Sequence, residues 1–279
     1  MYKKGYKIKP HQTLRSGIVL FTDGTQNDIV ANEDACRAYG YTYDKSTGTC
    51  RAFTHTEEIT STGDATTSKT VGSNIDIGKS KDSLAVGNSH ILTQNRNVLI
   101  AGSNHIIDNK ITNATILAKY GKATHTGELV IGGGGSASFV AGTKQTSVIQ
   151  LAGQTLGNDV DLYVQSGSSE EITLPANSII LYEVFITGLT TGGTAGTVGH
   201  YQVRKLYGSV LCYNDGSFVH DAHSNENITT VGTTGTVSLD LSTDTKFKVS
   251  IAGATNVNAE WHAHVNLYIN HTTRTDIEP

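Results

Sequence analysis

The sequence predicts an all-β chain in three successive regions: an irregular segment over 1–70, a short β-solenoid rod over 73–136 and a β-sandwich or jelly roll over 137–279. Composition is the first observation behind this. Gly, Thr, Ser and Asn supply 108 of the 279 residues (30, 38, 22 and 18), and charged residues only 16%. Helices need Ala, Leu, Glu, Lys and Arg and are weakened by Gly and Thr. The second observation is a 15-residue repeat near the middle of the chain. The third is strict apolar–polar alternation near its end. Three prolines exclude collagen-like structure, and a net charge of only −4 with plentiful Val, Ile and Tyr argues against disorder.

The first region carries a basic tail of Lys3, Lys4, Lys7 and Lys9. Residues 16–21 read as one short strand. Asn32 can cap a helical turn over 32–35. Residues 39–43 and 49–53 read as a hairpin closed around Gly48. Cys36 and Cys50 flank that hairpin, and they either bridge or remain two thiols. Residues 54–70 are polar and read as a linker. With so little apolar pattern, the region is expected to dock onto another protein rather than fold well alone.

The repeat aligns Asp82, Asn97, Asn113 and Glu128 as the starts of four segments. Its fourth column reads Ala85, Ile100, Ile116 and Ile131, and its sixth is always small: Gly87, Gly102, Ala118 and Gly133. Each repeat thus offers a short strand, a small-residue corner and a second short strand. Turns stacked about 4.8 Å apart make a rod roughly 20 Å long. A thin coil leaves apolar residues for a partner to cover, so an oligomer is expected, with Ile100 and Ile116 in the covered column. His90 and His105 hold equivalent positions after the corner. They are expected on the outer face as turn residues, with a stacked ladder as the alternative.

In the last region Phe247, Val249 and Ile251 share one strand face. Trp261, Ala263, Val265, Leu267 and Ile269 share another, which leaves His262 and His264 together on the polar side. Further strands are expected at 147–150, 160–164, 179–186, 199–206, 210–213, 228–230 and 236–241. Cys212 reads as a small buried hydrophobe. Between strands, 214–217 and 220–225 read as polar loops, and loops on a rigid β scaffold commonly carry binding.

The Gly-cornered repeat resembles the head repeats of trimeric YadA-like adhesins and similar rods in bacteriophage tail fibres. The block running Lys246-Phe-Lys-Val-Ser-Ile-Ala-Gly-Ala-Thr, together with Trp261-His-Ala-His-Val-Asn-Leu, resembles the carboxy-terminal β domain of many phage fibre proteins. The segment Ala35-Cys-Arg-Ala-Tyr-Gly-Tyr-Thr-Tyr-Asp looks like small inserts in phage structural proteins. The resemblance implies a trimeric β-roll-like rod in a homotrimeric virion fibre. Residues 1–70 would anchor it to another virion protein and the distal domain would meet the host surface. A long coiled-coil stalk and a membrane anchor are expected to be lacking, which favours the phage over the adhesin.

The chain is therefore expected to be a structural fibre subunit of a bacteriophage that attaches to a host glycan or protein. Alternatives are a capsid-attached head fibre or decoration protein and a glycan-cleaving tailspike. Host contact is assigned to Tyr213, Asp215, Asp221 and His223, whose short polar groups suit sugar hydroxyls and whose aromatic ring suits a pyranose face. His262 and His264 could hold a metal ion on a three-fold axis; no other cofactor is expected. Glycan cleavage needs two carboxylates across a groove. Asp159, Asp161, Glu170, Glu171, Asp215, Asp221, Glu226 and Glu260 are available, but their spacing singles out no pair. The expectation is a chain that is not an enzyme. The dispersed Lys and Arg also exclude nucleic acid, and no apolar run is long enough to insert into a membrane.

Overall fold

The computed structural model describes residues 2–14, 17–45, 47–52, 68–134, 140–164, 169–241, 246–273 and 277–278, without the side chains of 220–222. The expected linker over 54–70 falls largely outside the described residues, as does the expected boundary at 136–137. The chain divides into two compact units, 1–58 and 59–279.

The first unit pairs β1 (Lys9–Thr13) with β2 (Val19–Thr22) in antiparallel fashion. Helix α1 (Glu33–Ala38) starts where the Asn32 side chain accepts the Ala35 N–H at 2.9 Å. Strands β3 (Thr42–Asp44) and β4 (Thr49–Arg51) form the hairpin. Cys36 and Cys50 are joined as a disulfide, with Cα atoms 5.5 Å apart. They are buried with Val19, Phe21, Ala31 and Ala35, and Tyr6, Tyr39, Tyr41 and Tyr43 pack around them. A covalent link thus sits in the middle of a core too small to hold many residues.

The second unit opens with the β-solenoid. Its strands are β5 (Lys69–Ser73), β6 (Leu84–Asn88), β7 (Leu99–Ser103), β8 (Ile106–Ile107), β9 (Thr115–Lys119), β10 (Lys122–Ala123) and β11 (Leu129–Gly133). Strands β5, β6, β7, β9 and β11 pair in parallel and in register. One column runs Thr70, Ala85, Ile100, Ile116, Val130, in steps of 15, 15, 16 and 14 residues. The last step corrects the expected alignment by one residue. Val130, not Ile131, faces inward: Val130 is fully buried and Ile131 is 47% exposed. A one-residue slip in a strand moves every side chain to the other face, and burial of the column selects the register. The glycine run 132–135 of the sequence offers a small residue in either register and does not decide it. Ile100 and Ile116 are therefore covered by their own coil, together with Leu92, Val98 and Ile107. The columns left outside are Leu84 with Leu99, and Val86 with Leu117 and Ile131.

Beyond β11 the same sheet turns antiparallel. Strands β12 (Lys144–Leu156), β13 (Val160–Val164), β14 (Ile172–Thr173), β15 (Ser178–Gly192), β16 (Tyr201–Cys212), β17 (Phe218–Val231), β18 (Gly235–Asp240), β19 (Lys246–Gly253) and β20 (Asn258–His271) follow in order. The path is β17-β16-β15-β20-β12-β11-β9-β7-β6-β5. Strand β19 pairs with β13, β14 and β18, and β13 also pairs with β12. Phe247, Val249 and Ile251 of β19 share a core with Trp261, Ala263, Val265 and Leu267 of β20 and with Ile180, Tyr182, Val184 and Ile186 of β15. Cys212 is buried there too, and burial pushes its thiol up.

The loop expected at 220–225 is not a loop. Those residues lie inside β17, a 14-residue strand at the edge of the sheet that, among the described residues, pairs only with β16. An edge strand can leave both faces to solvent, so polar residues there do not interrupt it.

Candidate functional site

A cavity of about 530 Å³ opens where the solenoid meets the antiparallel strands. Its wall is drawn from the end of the coil (Asp108, Lys122), the 124–128 turn, the start of β12, residues 170–175 and the end of β20. Pairing of β12 with both β11 and β20 brings these distant stretches together. A space of this size lies within the range of small-ligand pockets.

Four carboxylates belong to the wall, and they do different things. Glu128 is buried, and its carboxylate accepts the N–H groups of Thr124 at 2.7 Å and His125 at 3.0 Å. Burial alone would push this carboxyl up. The His125 ring, the Ser147 hydroxyl and the Thr124 amide outweigh it and hold Glu128 below the usual carboxylate range. The His125 ring is fixed in turn: its Nε2 accepts the Thr173 N–H at 2.9 Å, and its Nδ1 stands 2.9 Å from the Thr124 hydroxyl. Glu171 is held by Lys246 at 2.6 Å and Lys248 at 2.8 Å, and these hydrogen bonds pull its carboxyl down. Asp108 pairs with Lys122 at 3.1 Å on a half-exposed rim. Glu170 accepts the Thr126 N–H at 2.9 Å. At the far side, burial and the nearby Lys122 and Lys144 hold His271 below the ordinary imidazole range. Glu128 and Glu171 are thus committed to the scaffold, and Asp108 and Glu170 are the other two carboxylates of the wall. Glu170 was among the carboxylates the sequence offered, but nothing in its spacing marked it.

The residues assigned to host contact are spread along the β16–β17 hairpin. Tyr213 and Asp215 lie in the hairpin turn between β16 and β17, where Asp215 accepts the Ser217 N–H at 2.8 Å and its hydroxyl at 2.6 Å. Those two bonds lower its carboxyl. His223 is well along β17, with its Nδ1 3.2 Å from the Tyr182 hydroxyl. Burial raises that phenol to about 12. The side chain of Asp221 lies outside the described residues. His262 and His264 share the outward face of β20, and the His264 Nδ1 lies 2.6 Å from Gln150. Among the described residues no group of three or more His, Cys, Asp or Glu gathers for a metal. No described helix is long and apolar enough to cross a membrane.

No protein-family model matches the chain, and no curated protein matches it. Solved structures that are similar in part include three phage tailspikes. One is a tailspike protein of the Acinetobacter baumannii bacteriophage Fri1, described as a capsular polysaccharide depolymerase, at 10% identity, a TM-score of 0.32 and coverage of 74% of this chain and 40% of that one. Another is the tailspike of Acinetobacter baumannii phage AM24, at 10% identity, a TM-score of 0.25 and coverage of 64% and 34%. The third is the tailspike of Acinetobacter phage vB_ApiP_P1, at 11% identity, a TM-score of 0.25 and coverage of 72% and 49%. The chain spans less than half the length of each. The expectation that the chain is not an enzyme is corrected by this finding, since the first of these proteins is named as an enzyme that acts on polysaccharide.

Proposed function

We propose that the chain is a subunit of a bacteriophage tailspike that attaches to a host-surface glycan and cleaves it. The observation that carries this reading is the carboxylate-walled cavity at the end of a rigid β-solenoid. Asp108 and Glu170 are the pair proposed to act on a sugar bound there, one as acid and one as base or nucleophile. The exposed columns of Leu84, Leu99, Leu117 and Ile131 support association of identical chains, proposed here as a homotrimer. Residues 1–70, with their basic tail, would join the subunit to another virion protein. Tyr213 and Asp215 at their hairpin turn are proposed as additional host contacts.

The test is incubation of the purified full chain with host surface polysaccharide, followed by size analysis of the glycan. Shortened chains, lost in both Asp108→Asn and Glu170→Gln while binding persists, support the reading. Binding without shortening would return the protein to a purely adhesive role. Shortening unaffected by either substitution would move the chemistry away from this cavity.

A further inference from the structure

Two imidazoles lie inside the solenoid at its small-residue corner, against the outer-face expectation. His90 and His105 are fully buried, and their rings stack 5.1 Å apart at an interplanar angle of 5°. The glycine column makes room for them. A Cβ at Gly87 would stand 3.0 Å from His90 Nε2, and one at Gly102 would stand 2.7 Å from His105 Nε2. Each ring bonds in two directions. His90 Nε2 lies 3.1 Å from the Val86 carbonyl, and His105 Nε2 lies 3.3 Å from the Ala101 carbonyl, so these nitrogens carry the protons. The opposite nitrogens accept. His90 Nδ1 receives the His105 N–H at 3.4 Å, and His105 Nδ1 receives the Gly121 N–H at 2.9 Å. A neutral ring thus donates within its own turn and accepts from the next.

We propose that the stacked His90–His105 pair is an acid-operated latch between successive solenoid turns. A proton added at Nδ1 converts an acceptor facing an amide into a second donor and places a cation beside the other ring, so the corner opens. The groups acting on the rings from β6, β7, β9 and the corner after it are the carbonyls of Val86, Ala101 and Ala118, the Gly121 amide and, for His105, the His90 ring. Among the described residues, the groups acting on these rings include no carboxylate to stabilise an imidazolium. Burial holds both rings below the ordinary imidazole range, and His90 adds to the effect on His105. A base depressed in the folded state favours folding fully above its unfolded value of about 6.5. That contribution is lost as pH falls below this value and through the lowered folded one. The latch does not depend on the glycan reading: it concerns the rod whether or not the cavity cleaves anything.

Hydrogen exchange of the full chain tests it at the His105 and Gly121 amides, with rates corrected for the intrinsic pH dependence. Protection is expected to fall as pH drops below about 6.5, by up to about tenfold per pH unit and per proton taken up. In the His90→Asn/His105→Asn double variant, Oδ1 supplies a non-titrating acceptor and protection should stay flat over that range. Constant protection in the natural chain would overturn the latch, and so would an equal loss in the variant. Should the variant not fold, NMR titration of the two rings in the natural chain decides. Midpoints below the ordinary range, coinciding with the loss of protection, support it; midpoints at or above that range overturn it.

Discussion

The solenoid strands and the antiparallel strands belong to one sheet, yet they bury their side chains on different scales. The five-residue solenoid strands β7 and β9 each bury one residue, the second, Ile100 or Ile116, and leave its neighbours on the outer face. Strand β20 alone buries Ala259, Trp261, Ala263, Val265 and Leu267 against the layer carrying β19. The coil cannot thicken its core by lengthening a strand, because each strand must end at a corner. Its stability rests on the fit of those corners, where Asn97, Asn104 and Asn113 adopt positive φ and glycines let backbones touch. The antiparallel half rests on buried area and tolerates looser corners.

That contrast is broken most directly at Ile116. Replacing it with Asp puts a charge between Ile100 and Val130 with no partner, at an expected cost of roughly 4 kcal/mol or more. Thermal unfolding followed on solenoid and antiparallel probes separately should show the first transition lost and the second kept. Loss of both together would mean that the shared sheet makes the halves one cooperative unit.

The corner argument is sharpened by a pair of alanines. Gly102 sits at φ +133, and a Cβ there would come 1.8 Å from the Ala118 carbonyl oxygen and 2.7 Å from His105. Gly102→Ala should cost about 2–3 kcal/mol. Gly192, at the end of β15, has nothing within 4 Å of its would-be Cβ, and Gly192→Ala should change stability by less than about 0.5 kcal/mol. Comparable denaturant midpoints for the two variants would remove the distinction between the halves.

Glu128 stands at the join, where its carboxylate holds the 124–128 turn. Glu128→Gln keeps the shape but loses the charge opposite two amides, at an expected cost of about 1–2 kcal/mol at neutral pH. Its folded-state carboxyl is lowered, so its contribution is present above the unfolded value of about 4.3 and is lost as pH falls through the lowered folded value. The natural chain should therefore converge on the variant in acid. Parallel stability curves from pH 7 to pH 3 would show that the turn does not use the charge.

The period of the coil was legible because stacking forces equivalent residues into one column, and alternation exposed the core faces of β19 and β20 for the same reason. The register of β11 was not, since its glycines fit two alignments and only burial distinguishes Val130 from Ile131. Strand β17 was hidden by its polar composition, which an edge position permits. The cavity could not be read from spacing: Asp108, Glu170 and His271 are far apart in the chain and meet only through the pairing of β11, β12 and β20. The stacked histidines stood only as the alternative reading, because a polar residue after a glycine reads as a turn. Only the backbone groups of the next coil show that its bonds are met inside.

The smallest expected effect on folding falls on the outer column, and it separates the two kinds of apolar residue in the rod. Leu117 is adjacent to Ile116 in the chain but is 37% exposed, beside Ile131 and across from Ala101. An Asp at this position keeps its charge in water, so Leu117→Asp should shift the unfolding of an isolated chain by no more than about 0.5 kcal/mol. In an assembly of identical chains the same carboxylate would be buried at the contact and unpaired. Sedimentation should then show the natural chain as a trimer and the variant as a folded monomer. A trimer in both would leave this column in solvent and move the contact elsewhere. A monomer in both would show that the coil tolerates its exposed leucines without a partner. Ile116→Asp unfolding the rod while Leu117→Asp only separates the chains would establish that one strand serves the inner core with one residue and the assembly with the next.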